Sequence, residues 1–207
     1  MIEVKHKDNG KVLYTNEADS FAEAKLDGVR WAGADLVDAD LSGLDLQRSD
    51  LRGADLTGAN LGGANLQSAL LTEASVDSAI LVKANLIDAV CQNASFRDAR
   101  LSDANLRYSK LQNCDFTGAD LSGTDLSMTD LRCNLNDANL KNSDLRGADL
   151  TGANLNGADL CEANLNEAKL GGAQMQRTKM TGAIGPTGRR FGAKVPPPAK
   201  PWWKVWG

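Results

Sequence analysis

From Leu26 to Leu131 a bulky side chain, nearly always apolar, returns at every fifth position, and from Leu135 to Met180 the same rhythm resumes. Of these 32 anchors 25 are Leu; the others are Trp31, Val76, Cys91, Phe96, Phe116, Met175 and Met180. A period of five fits no single regular element. On an α-helix five residues advance about 500°, so the anchors drift by about 140° per repeat and line no face. Along one continuous strand an odd spacing sends successive anchors to opposite faces. The chain must turn a corner inside each repeat.

The neighbours of each anchor supply that corner. Two residues before it stands a small side chain, as at Ala54, Ala59, Ala64, Ala148, Ala153 and Ala158; one before it stands Asp or Asn, as at Asp55, Asn60, Asn65, Asp149 and Asn154. Alternation points the Ala and the Leu inward and the Asp or Asn outward. The two remaining residues form the turn. Its second position is often Gly (Gly53, Gly58, Gly63, Gly118, Gly147, Gly152), which suits a type II turn with positive φ. Each repeat is one short wall of a tube filled by alternating Ala and Leu.

The rhythm breaks once, in "DLRCNLNDANL" at residues 130–140, where Leu131 is followed by Leu135. The inward pair Cys133 and Leu135 and the outward Asn134 remain, so the missing residue, near 132–134, belongs to a corner. The expectation is a tightened corner, or a local slip in pairing that kinks the tube. "SDLRGADLTGANL" occurs at 49–61 and again at 143–155. With the missing residue restored the two copies are nineteen repeats apart.

The segments "ADLTGANLGGANL" (54–66) and "ADLTGANLNGADL" (148–160) resemble the pentapeptide-repeat family, whose repeat is A(D/N)LXX. The resemblance runs from about residue 20 to about 183. It implies an all-β solenoid, a right-handed quadrilateral β-helix with four repeats per coil. The array of residues 24–183 then makes about eight coils, about 38 Å long at about 4.8 Å per coil. Residues 1–23 read as a cap: Asn9-Gly10 between strand-like runs signals a β-hairpin with a type I′ turn, and Ser20 with Glu23 offers a capping box for a short helix. Residues 184–207 read as an extended Pro/Trp-rich tail, since the prolines favour a polyproline-like run.

Charge divides along the same boundaries. Residues 24–183 hold 22 acidic and 15 basic side chains, whereas 184–207 hold five basic and no acidic ones. There is one His, His6, and neither a phosphate loop nor a Cys, His or acidic cluster of metal-ligand spacing, so no enzyme, cofactor or metal is expected. No run of about 18 apolar residues suggests a membrane span. Cys91, Cys114, Cys133 and Cys161 show no paired spacing, and a reducing, cytoplasmic location is expected. Cys114 and Cys133 fall in one column on successive coils, within disulfide reach, but packed thiols are the preferred reading.

Three surfaces stand out. In residues 69–90 the outward positions turn apolar: Leu70, Ile80 and Val90 replace Asp or Asn, and Val82 and Ile87 take first turn positions. This is a candidate patch for a protein partner or for self-association. The tail joins Arg189 and Arg190 to Trp202, Trp203 and Trp206, a basic-aromatic set suited to nucleic acid, a membrane surface or the open end of the solenoid. "PAKP" at 198–201 also fits a minimal polyproline ligand. The best-understood members of the family resemble B-form DNA and bind type II topoisomerases, conferring quinolone or toxin resistance. That resemblance makes Asp35, Asp55 and Asp115 on one wall, Asp45 and Asp125 on a second, and Asp50 and Asp130 on a third candidate DNA-mimic carboxylates, with DNA gyrase or topoisomerase IV as partner. Against it stand a modest net charge, a scatter of Arg residues and the lack of an inserted loop. The N-terminus is closer to bacterial or phage members. The leading expectation is a non-catalytic scaffold for protein–protein interaction, with DNA mimicry as the alternative.

Overall fold

The computed structural model of the protein describes residues 1–17, 20–21 and 24–192. Each outward residue of the array forms a parallel bridge with the residue four repeats later, so the chain winds round four walls. Wall A carries the ladder from Arg30 through Asp50, Leu70, Val90, Lys110, Asp130 and Asp149 to Lys169. Wall B runs from Asp35 to Gln174, wall C from Asp40 to Lys179 and wall D from Asp45 to Ile184.

The corners are turns of one kind. The N–H two residues before an anchor bonds the carbonyl of the preceding anchor, as Ala59 does to Leu56 at 3.0 Å. The third turn residue has positive φ, as at Gly58 (70°), which is the type II signature. Where Gly is absent the same angle is imposed on larger residues, such as Tyr108 (62°) and Met128 (60°). The ladder hydrogen bonds of four walls hold each corner in place, so they offset the modest strain of a side chain there.

The interior is a single column of buried Leu and Ala with few aromatic fillers. Phe96 and Phe116, anchors on successive coils of wall B, stack with centroids 4.7 Å apart and planes 8° from parallel. Each fully buried Leu contributes about 1.5–3 kcal/mol of transfer free energy, repeated at nearly every wall. At four positions where Ser or Thr replaces the small Ala the hydroxyl donates to the previous anchor's carbonyl, as Ser109 does to Leu106 and Thr124 to Leu121, both at 2.6 Å. The buried Ser49 hydroxyl, by contrast, has no partner among the described residues, and Thr178 donates to Leu155.

At the break, the Cys133 N–H bonds the Leu131 carbonyl, so the corner is tightened to a three-residue turn. The pairing does not slip. The ladder offset falls from 20 to 19 through Asp115–Asn134, Asp120–Asn139, Asp125–Asp144 and Asp130–Asp149, then returns to 20 at Asn134–Asn154. Of the duplicated segments, one places Asp50 on wall A and the other Asp144 on wall D.

The N-terminal end is covered by a hairpin of β1 (Ile2–His6) and β2 (Val12–Asn16), and β1 also pairs antiparallel with β3 (Ala34–Asp35). Its loop differs from the two-residue form: Gly10 has positive φ but Asn9 does not, and the Gly10 N–H reaches back to the His6 carbonyl. A bulge between Val4 and Lys5 accommodates the longer loop. Tyr14 and Phe21 pack on the buried Trp31 at centroid distances of 5.5 and 5.6 Å, sealing the first coil. The described residues form no helix here, and Glu23, half of the expected capping box, lies outside them. At the other end Ile184 still pairs with Asn164; the chain then reverses, and Arg190 bridges antiparallel to Ile184.

Candidate interaction surface

The walls sort the candidate residues. Leu70 pairs directly with Val90 in the wall A ladder, and Ile87 sits on the corner leading into that wall. Ile80 is on wall C between Asn60 and Arg100, and Val82 is on the corner after it. The Asp and Asn column of wall D, including Asn65, Asn85 and Asn105, separates the two groups. All five side chains are half-buried. The 69–90 segment therefore presents a compact Leu70–Val90–Ile87 group and a second pair two walls away.

The candidate carboxylates fall in the expected columns: Asp35, Asp55 and Asp115 in wall B, Asp45 and Asp125 in wall D, Asp50 and Asp130 in wall A. Their first task is local, because an outward Asp accepts from the backbone N–H two residues on, as Asp55 does from Thr57 at 3.1 Å and Asp125 from Ser127 at 2.9 Å. Three of the seven are also ion-paired: Asp50 with Arg52 at 2.7 Å, Asp130 with Arg132 at 2.7 Å and Asp115 with Arg97 at 3.1 Å. Hydrogen bonds from Arg52 hold the Asp50 carboxyl below its ordinary range, and those from Arg132 do the same for Asp130. Asp35, Asp45, Asp55 and Asp125 have no cation within salt-bridge distance among the described residues.

Cys91, Cys114 and Cys133 are buried and Cys161 half-buried, all as free thiols. Cys114 and Cys133 are stacked, since the Asn134 N–H bonds the Cys114 carbonyl at 3.0 Å, and the Cys114 thiol donates to the Cys91 carbonyl at 2.9 Å. Burial pushes all three thiols up, Cys114 to about 12. Among the described residues no group of three or more His, Cys, Asp or Glu is placed to hold a metal ion, and no helix is long and apolar enough to cross a membrane. Arg190 of the tail reaches Glu162 at 2.9 Å; Arg189 is exposed; Trp202, Trp203, Trp206 and the PAKP stretch lie outside the described residues.

One feature escapes the five-residue pattern. Tyr108 (47% exposed) and Met128 (56%) occupy successive levels of the corner between walls D and A, at turn positions where Gly is common. The Arg107 guanidinium lies 4.9 Å from the Tyr108 ring centre. Beside them a shallow depression of about 260 Å³ is lined by Arg107, Ser127, Met128, Arg146, Gly147, Asn166 and Glu167. A bulky residue at the second turn position is the sequence signal for this exposure.

The pentapeptide-repeat model matches in eight copies, whose segments run without a gap from residue 20 to residue 182. The chain belongs to the pentapeptide-repeat family. Its members form right-handed β-helices. One matched segment ends at residue 132 and the next begins at 133, at the shortened corner. Among solved structures, the chain is 33% identical to HetL, a pentapeptide-repeat protein involved in heterocyst differentiation regulation from the cyanobacterium Nostoc sp. strain PCC 7120, over 79% of this chain and 77% of HetL, with a TM-score of 0.47. It is 27% identical to Rfr23 from the cyanobacterium Cyanothece 51142, over 61% of this chain and 59% of that one, with a TM-score of 0.28. It is 20% identical to QnrB1, a plasmid-mediated fluoroquinolone resistance protein, over 70% and 88%, with a TM-score of 0.45. No curated protein matches the chain significantly in sequence.

Proposed function

We propose that this pentapeptide-repeat protein is a non-catalytic scaffold that binds other protein surfaces through the flat walls of a rod about eight coils long. The observation that carries this reading is the Leu70–Val90 pair. Two apolar side chains meet in the middle of a wall whose other outward residues are all charged, with Ile87 extending the group onto the adjoining corner. Such a cluster on a polar tube is the composition of a contact surface. The packed thiols of Cys91, Cys114 and Cys133 suit a reducing, cytoplasmic setting.

The test is capture of partners from an extract of the native host. A Leu70→Asp/Val90→Asp variant with unchanged melting temperature should lose proteins that the wild type retains, and a purified one of these should then bind the wild type alone. Identical capture by both forms overturns the reading.

A second reading, DNA mimicry toward a type II topoisomerase, is favoured by wall D, where Asp45 and Asp125 project with no cation within salt-bridge distance among the described residues, though Arg48 and Arg146 act on them from further off. It ranks lower because Asp50, Asp115 and Asp130 are neutralised by arginines. A gyrase supercoiling assay decides it: neither inhibition nor protection from quinolone, with protein at about 10 µM, a concentration at which micromolar binding saturates, removes this reading.

A further inference from the structure

Wall A has a property that no single residue on it shows. Over six successive levels its outward residues are Arg30, Asp50, Leu70, Val90, Lys110 and Asp130, joined in one parallel ladder. In order of character this is cation, anion, apolar, apolar, cation, anion. Reversed, each charge becomes its opposite while the apolar centre is unchanged. A face of that kind is complementary to itself when two copies lie antiparallel, related by a two-fold axis midway between Leu70 and Val90.

We propose that the occupant of this wall is a second copy of the same chain. Leu70 meets the partner's Val90, Asp50 meets the partner's Lys110, and Arg30 meets the partner's Asp130, each pair occurring twice. The equal spacing of the levels lets all six contacts form together along about 24 Å. The apolar residues lie at the centre and the charges outside, as in a recognition interface. Arg30 and Lys110 are exposed, and among the described residues neither has a carboxylate within salt-bridge distance. Asp50 and Asp130 each already hold an arginine two residues on, and the incoming cation joins that carboxylate. The pairing rests on the interaction reading of the Leu70–Val90 group and gives it a partner and a register.

No other wall combines this antisymmetry with an apolar centre. On wall C an axis through Ile80 sets Asp40 against Asp120, two like charges, and the axis that opposes Arg100 to Asp120 and Asp40 to Lys179 sets Ile80 against the polar Asn139. Wall B, from Asp35 to Gln174, carries no outward cation, and neither does wall D, from Asp45 to Ile184. The face is narrow, which places the complex among small, weak interfaces.

Sedimentation equilibrium of the full chain at low salt, up to about 300 µM to reach weak association, tests the register by complementation. The wild type should dimerise, less so as salt rises. Lys110→Asp sets two carboxylates together and Asp50→Lys sets two ammonium groups together, so each variant alone should dimerise at least about tenfold more weakly. Mixed in equal amounts, the two should form a heterodimer, because every clash becomes an opposite-charge pair. Circular dichroism melting confirms that each is folded; should either fail to fold, Arg30→Asp with Asp130→Arg supplies the same test at the outer pair. A wild type that stays monomeric, a single variant that dimerises like wild type, or a folded mixture that stays monomeric overturns the proposal. A monomeric wild type leaves the scaffold reading to its own extract experiment.

Discussion

The Cys133 N–H bonds the Leu131 carbonyl at 2.8 Å, closing one corner of the rod over a single intervening residue. Every other corner from Leu26 to Met180 closes over two, as Ala138 does on Leu135 at 3.1 Å. The shortened corner leaves out the residue whose N–H would reach the Thr151 carbonyl on the next coil, as the Asn113 N–H reaches Arg132 at 3.0 Å one coil earlier. Thr151 is exposed, so water replaces that bond at little cost.

Inserting one Gly between Arg132 and Cys133 should therefore restore an ordinary type II corner and leave the fold intact. The expected change in unfolding free energy is within about 1 kcal/mol, the net worth of one hydrogen bond. Urea denaturation of the two forms measures it. A loss of more than about 2 kcal/mol, beyond what a surface loop change carries, means that the tight corner is required.

Much of this fold was legible because the repeat couples each side chain to one place. Leu56 points inward and Asp55 outward for a reason that recurs at every wall, and the four repeats per coil that the family resemblance implies place Leu70 and Val90, twenty residues apart, in one column. What the period does not encode is contact between positions. The triplet Asp-Leu-Arg occurs at 50–52, 130–132 and 144–146, and each time the arginine folds back onto the carboxylate two residues before it. That pairing discounts the charge of the Asp columns, and only side-chain geometry reveals it. The hairpin loop departs from its sequence signal for a related reason: Asn9-Gly10 favours a two-residue turn, but docking of His6 against Gly33 and pairing of β1 with β3 set the register of the strand.

Acid and alkali should destabilise the protein through different groups. Hydrogen bonds from arginine keep Asp50 and Asp130 below the ordinary carboxylate range. Their contribution is full above the unfolded value of about 3.9 and is lost as pH falls through the lower folded value. The buried thiols act in the opposite sense. The unfolded thiol ionises above about 8.5, whereas burial holds Cys114 protonated to about 12. Stability should then be flat between these limits, decline below about pH 4 and decline again above about pH 9. A Cys91→Ala/Cys114→Ala/Cys133→Ala variant should lose the thiol-dependent part of the alkaline slope in thermal melts; an unchanged slope refutes its assignment to these thiols.

The same burial predicts thiol reactivity. Cys161 is the half-buried one of the four and takes a first turn position on the corner after wall C, whereas Cys91, Cys114 and Cys133 face the interior. An aromatic disulfide reagent at neutral pH should modify one thiol quickly in the native protein and four in denaturant. Removing Cys161 should abolish the fast phase. Two or more fast thiols would show that the interior holding Cys91, Cys114 and Cys133 opens readily to the reagent.

The hairpin cap offers a sharper test, because one glycine carries two separable demands. Gly33 has φ of 68°, and a Cβ added there would overlap the imidazole of His6. Gly53 occupies the same corner one coil later with φ of 62° and open space where its Cβ would be. Ala at Gly53 incurs only the left-handed backbone penalty, about 1 kcal/mol. Ala at Gly33 incurs that penalty and must also displace His6, whose strand pairs with Ala34 and Asp35 and holds Tyr14 and Phe21 over Trp31. Gly33→Ala should therefore destabilise by about 1–2 kcal/mol more than Gly53→Ala, the range of overpacking against a packed side chain. It should also make Trp31 fluorescence more accessible to quencher. Replacing His6 by Ala in the Gly33→Ala background should recover the difference, since the overlapping ring is gone. Equal effects of the two substitutions, or no recovery on removing the imidazole, would show that the hairpin is not seated on the coil through His6.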